Sequence, residues 1–173
     1  MPYEYKNTVV HQQSDQVLIV CIGNDLIADD AAGHEVFLRL QHSALPGTVR
    51  LEYAAVGGVA LLDRLTGEER VMIVVDAVQF GAPAGTIHCI PWDELPVLAA
   101  GALSGHDIGL KETIEIGKLL YPEKLPRQIV LVGIEGRCFN RTRDYMTPET
   151  AAGIEDAVLL IQKIAQAPQG ALT

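Results

Sequence analysis

Asp30, Asp76 and His106 are the side chains whose types and surroundings best suit joint chemistry. Two carboxylates and an imidazole make a mixed oxygen and nitrogen donor set for a divalent transition metal. An ionised carboxylate can also take a proton from an attacking water. The three lie far apart along the chain, so the sequence establishes compatible residue types and leaves convergence to the fold. Glu135, just past the last apolar run, is a weaker third carboxylate.

Each position has an ordinary reading beside the functional one. Asp30 closes the loop Gly23-Asn24-Asp25-Leu26-Ile27-Ala28-Asp29-Asp30, where Asp29 or Asp30 could simply cap a helix. A dinucleotide site fits this loop poorly. Only Gly23 and the distant Gly33 are present, and adjacent aspartates would repel a pyrophosphate. The same acidic pair favours a cation if a further ligand reaches it. Asp76 ends the apolar run 71–75, where a carboxylate costs desolvation energy unless it is hydrogen-bonded, solvated or bound to a cation. Ser104-Gly105-His106-Asp107 resembles a capping box and puts His106 in a first helical turn. The positive helix end there disfavours imidazolium and keeps the ring able to coordinate. A single histidine at a cap is equally an exposed surface residue. His11, His34, His42 and His88 have no comparable setting. Neither a G-x-S-x-G elbow nor an H-E-x-x-H signature occurs, and no cysteine has a catalytic context, which disfavours a covalent nucleophile.

The elements that must position these residues alternate in type. Residues 17–22 and 71–75 are continuous apolar runs, as in strands covered on both faces. Residues 49–53 alternate like a strand, 86–90 form another, and 129–132 form the last. The short turn Gly81-Ala82-Pro83-Ala84-Gly85 before 86–90 implies an antiparallel neighbour at a sheet edge. Helical patterns fall at 32–41, briefly at 59–65 and 93–100, then at 104–120, and finally after Thr147-Pro148. Strands alternating with helices imply an α/β, three-layer αβα sandwich with a mostly parallel sheet. In such sheets ligands bind beyond the carboxyl ends of the strands, where Asp30 and Asp76 fall.

The composition fits one domain at residues 16–168, preceded by a loosely held arm at 1–15. Aromatic residues are only 5% of the 173, so the core must be aliphatic. A net charge of -9 argues against nucleic-acid binding. Cys21, Cys89 and Cys138 form no C-x-x-C pair, and Cys21 and Cys89 sit in apolar runs as small buried hydrophobes. With no signal peptide and no membrane span visible, the expected place is the cytoplasm.

Four blocks in order carry a family resemblance. Gly23-Asn24-Asp25-Leu26-Ile27-Ala28-Asp29-Asp30-Ala31-Ala32-Gly33 resembles the opening motif of the hydrogenase maturation proteases, roughly G-x-G-N-x-L-x-x-D-[DE]-x-x-G. Val74-Val75-Asp76-Ala77-Val78 with Pro83-Ala84-Gly85-Thr86 is similar to the second block. Ser104-Gly105-His106-Asp107-Ile108-Gly109-Leu110 and Val132-Gly133-Ile134-Glu135 resemble the third and fourth. The resemblance implies a twisted sheet of five strands between helices, with one antiparallel edge strand. It also implies that Asp30, Asp76 and His106 bind nickel already installed in the large-subunit precursor of a nickel-containing hydrogenase. The enzyme would then remove the precursor's C-terminal extension, the attacking water being activated by Asp30, by Asp76 or by the metal itself. Cys21 stands at the motif's first glycine, Ala31 and Gly136 replace a frequent glycine and proline, and Tyr53-Ala54-Ala55 replaces an aspartate followed by glycines. The rival readings are a non-catalytic nickel-dependent chaperone that binds the precursor, and a related protease with another protein substrate.

Overall fold

The structure is a computed structural model and describes residues 15–54, 59–95 and 107–168. The expected arm therefore lies almost wholly outside the described residues. Along the chain come β1 (Gln16–Ile22), α1 (Ala32–Gln41), β2 (Val49–Ala54), β3 (Glu69–Val78), β4 (Ile87–Pro91), α2 (Asp107–Leu120), β5 (Gln128–Glu135) and α3 (Pro148–Gln166). Short 3-10 turns lie at Asp29–Ala31, Val59–Arg64 and Trp92–Glu94.

The five strands form one sheet in the order β2-β1-β3-β5-β4. β1 pairs in parallel with β2 and β3, and β3 with β5; only β4 runs antiparallel, on β5. The edge strand is thus antiparallel as its short turn implies, but its partner is β5 and not the strand before it.

Each central strand is apolar on both faces because each face has its own helical cover. Val17, Ile19 and Cys21 of β1 pack with Ile73, Val132, α1 and α3. Leu18, Val20 and Ile22 pack on the other side with Met72, Val74, Leu131, the 59–64 turn and Ile114 of α2. Full burial of each such aliphatic side chain stabilises by about 1.5–3 kcal/mol, so the middle layer dominates the fold's stability. A strand apolar at every position gains little register information from alternation. Two glycines supply it for β1. A Cβ on Gly33 would meet the Ile22 carbonyl oxygen at 1.8 Å, so α1 docks directly on the end of β1. Gly23, at φ +154, brings the chain back so closely that a Cβ there would meet the Asp30 carbonyl oxygen at 2.4 Å.

Two boundaries differ from the sequence expectation in ways that matter. β3 does not stop at Asp76 but continues to Val78, because β5 extends to Glu135 and pairs with it throughout. Asp76 is therefore inside a central strand. The expected helix at 93–100 is a single turn at Trp92–Glu94 within the described residues.

Candidate active site

The chain leaves β1 toward β2 on one side and returns in β3 on the other, which makes the crevice beyond the carboxyl ends of β1 and β3 the sheet's switch point. The 3-10 turn carrying Asp30 follows β1 and packs against β3, which carries Asp76. The fold therefore brings together the two elements that carry these sequence-expected carboxylates. Both are buried, Asp30 at 5% exposure and Asp76 at 1%. Asp76 Oδ1 accepts a hydrogen bond from the Ala77 amide at 2.8 Å. Strand alternation with Met72, Val74 and Val78 puts Asp76 on the face covered by α2. Its register partner on β5 is Gly133.

His106 lies outside the described residues. The helix α2 begins at the next residue, Asp107. Among the described residues no three His, Cys, Asp or Glu side chains gather in a metal-holding group. The described part of the site thus holds two buried carboxylates on adjoining elements, whose hard oxygen donors and low solvent access suit a divalent cation as counter-charge.

Local hydrogen bonds shape the loop that delivers Asp30. The Asn24 amide donates to the Asp30 carbonyl at 3.2 Å, and Asn24 Oδ1 accepts from the Leu26 amide at 3.0 Å. Tyr53 donates its hydroxyl to the Gly23 carbonyl at 2.8 Å, so the residue that departs from the family pattern braces this same loop. Burial, reinforced by the neighbouring Asp25 carboxylate, pushes the Tyr53 phenol up.

Asp29 does something the sequence reading missed. Neither it nor Asp30 caps a helix, since no side-chain cap bond forms there. Asp29 is fully buried and accepts from the amides of Arg137 (3.0 Å), Cys138 (3.0 Å) and Thr147 (2.8 Å) and from Thr147 Oγ1 (2.9 Å). Burial alone would raise its pKa, but these donors outweigh it and hold the carboxyl below the usual carboxylate range. The segment 137–147 is thereby strapped across the loop. Backbone bonds from Ala28 to the Arg141 carbonyl, from Asp29 to that of Cys138 and from Arg143 to that of Leu26 complete the strap. The signal was present as a second carboxylate adjacent to Asp30, but its partners lie over a hundred residues away.

Glu135, the weaker candidate, is committed elsewhere. It is the last residue of β5, 2% exposed, and accepts from the amides of Phe80 (3.1 Å) and Gly81 (2.8 Å). Its Oε2 also lies 2.9 Å from His88 Nε2. It therefore organises the β3–β4 turn, and its partner is His88, a residue with no role expected from its sequence setting. Cys21 is buried as expected, and burial, with Asp76 nearby, pushes its thiol up and out of nucleophilic range. The expectation for Cys89 is corrected: it is exposed, because β4 is an edge strand with one open face.

This sequence and this sheet have known counterparts. The family model described as hydrogenase maturation protease matches residues 39–164. A putative hydrogenase maturation protease of Methanocaldococcus jannaschii is 31% identical over 148 residues, covering 84% of this chain and 93% of its own. The chain belongs to the hydrogenase maturation protease family. It is accordingly placed among peptidase hydrolases. The hydrogenase 2 maturation protease of Escherichia coli is 26% identical over 144 residues, 83% of this chain and 86% of its own. The structure of the hydrogenase maturating endopeptidase HybD from Escherichia coli superposes with a TM-score of 0.75 at 25% identity, covering 86% of this chain and 91% of that one. That of HybD from Thermococcus kodakarensis gives 0.72 at 23% identity and shares the fold. Among the described residues no helix is long and apolar enough to cross a membrane.

Proposed function

We propose that this maturation protease removes the C-terminal extension of a nickel-containing hydrogenase large-subunit precursor, and that the nickel it recognises arrives with that precursor. The observation that carries this reading is the burial of Asp30, in the turn after β1, and of Asp76, inside β3, on adjoining elements at the sheet's switch point in a chain of this family.

In this account Asp30, Asp76 and His106 contact the nickel held by the substrate and so place the scissile peptide bond. One carboxylate of the pair takes a proton from the attacking water as its oxygen bonds to the carbonyl carbon. That proton passes to the amide nitrogen as the carbon–nitrogen bond breaks, leaving a new carboxyl terminus and a free amine on the released tail. Positioning supplies a large part of the rate, since a bond held next to its base reacts as an intramolecular partner. The burial of both carboxylates strengthens their interaction with a cation, and cation binding offsets their desolvation.

The test is the intact mass of the precursor after incubation with the purified protein. Nickel-loaded precursor should lose one discrete C-terminal peptide, while nickel-free precursor should keep its mass. Binding of the loaded precursor without any mass loss would replace the protease reading with that of a chaperone. Loss of the tail irrespective of nickel would remove the metal from the recognition step.

A further inference from the structure

A groove of about 860 Å³ lies between the strap at 137–147 and Ala28 of the loop that delivers Asp30. Its lining includes Ala28, Arg137, Arg141, Asp144, Tyr145 and Thr147. The volume is in the range of binding clefts, and the lining mixes apolar contact with a few charged groups, as such clefts do.

Two arginines, Arg137 and Arg141, against one aspartate, Asp144, line the groove in a strongly acidic chain. Lysine and arginine number 13 against 22 aspartate and glutamate, yet Arg137, Arg141 and Arg143 fall within one short stretch. Two of the three are engaged. Arg143 pairs with Glu35, and Arg137 pairs with Glu149 at 3.0 Å. That second pair is exposed on both sides, 62% and 46%, and so is weakly held. Arg141 is exposed and forms no ion pair among the described residues. Its backbone is nevertheless fixed, because its carbonyl accepts the Ala28 amide at 3.1 Å, two residues before Asp30. Tyr145 stands beside it at 68% exposure, a large aromatic face open to solvent.

We infer that this groove is a subsite for the precursor's C-terminal extension, where Arg141 binds a carboxylate of the tail and Tyr145 packs on the tail's apolar side chains. The inference rests on the protease reading for the identity of the occupant. Three features favour the tail as that occupant. The groove reaches Ala28 of the loop that delivers Asp30, so it offers a surface along which a chain cut at that loop can leave. It has the size for an extended peptide and not for a folded subunit. A C-terminal tail also always carries at least one carboxylate, its own terminus, and guanidinium is the side chain best shaped for that group. Elsewhere the net charge of -9 repels an anionic peptide, so a local arginine decides where the tail can lie.

Two assays test this. In the first, a labelled synthetic peptide with the extension's sequence is titrated with the full chain by fluorescence anisotropy, alongside a C-terminally amidated version and one with its acidic side chains neutralised. Arg141→Glu should weaken binding of the native peptide about tenfold or more, Arg141→Lys less, and added salt should weaken wild-type binding in parallel. Whichever modified peptide loses affinity for wild type, and only for wild type, identifies the carboxylate. In the second, cleavage of the nickel-loaded precursor by Arg141→Glu should show a raised KM with kcat retained. Equal peptide affinity for wild type and both variants, with equal KM, would overturn the subsite while leaving the protease reading intact. A wild-type protein that binds the peptide through Arg141 but never cuts would instead sink the protease reading and keep the subsite.

Discussion

Replacing Asp29 by asparagine isolates what the strap contributes. The native carboxylate accepts four hydrogen bonds, three of them from amides of Arg137, Cys138 and Thr147. Asparagine keeps one acceptor oxygen. If that oxygen faces the donors of Oδ2, the Thr147 amide meets an NH2 group and is left unsatisfied, at about 1–3 kcal/mol. The remaining bonds lose charge assistance, which roughly halves their strength. The sum, discounted for non-additivity, is about 3 kcal/mol. For a domain of this size that lowers Tm by about 6–12 °C. The pH dependence carries a sign. The folded pKa of Asp29 is depressed, so its contribution is present in full above the unfolded value of about 3.9 and is lost as pH falls through the folded value. Thermal melts by circular dichroism should therefore show a constant deficit for Asp29→Asn from pH 7 to about 5, narrowing at more acid pH. A deficit under about 2 °C at pH 7, or one unchanged down to the acid limit of reversible folding, would refute the strap argument.

Gly33→Ala should cost about 3 kcal/mol or more, because the new methyl must displace α1 from the Ile22 carbonyl; denaturant melts would reveal it as a lower midpoint. Glu135→Ala strips the acceptor from the Phe80 and Gly81 amides and should lower Tm by about 6–12 °C, while binding of nickel-loaded precursor, read by calorimetry, stays unchanged. A thiol reagent on the native protein should modify Cys89 and spare Cys21 until the chain unfolds, as mass spectrometry of labelled peptides would show.

The fold was legible because its signals are local. Runs such as 17–22 announce strands with two covered faces, the alternation of strand and helix fixes the layer architecture, and a short glycine-rich turn announces an edge strand. The position of Asp30 and Asp76 near strand ends was equally readable. What escaped depended on pairing between distant segments. Asp76 reads as the end of a strand because the sequence does not show how far β5 will extend beside it. Cys89 reads as buried because an apolar run does not say which strand it will pair with, or that one side will stay open. Asp29 passed for a helix cap because turn chemistry and a buried acceptor use the same residue, and only the return of 137–147 distinguishes them.

The most direct test of the central claim is single-turnover cleavage of nickel-loaded large-subunit precursor by wild type, Asp30→Asn and Asp76→Asn, each first shown to fold by its thermal melt. Wild type should release one C-terminal peptide, and each variant should cleave at a rate at least about a hundredfold lower. Cleavage at wild-type rate by a folded Asp76→Asn would contradict that claim, because the catalytic carboxylate would then lie outside the switch-point crevice.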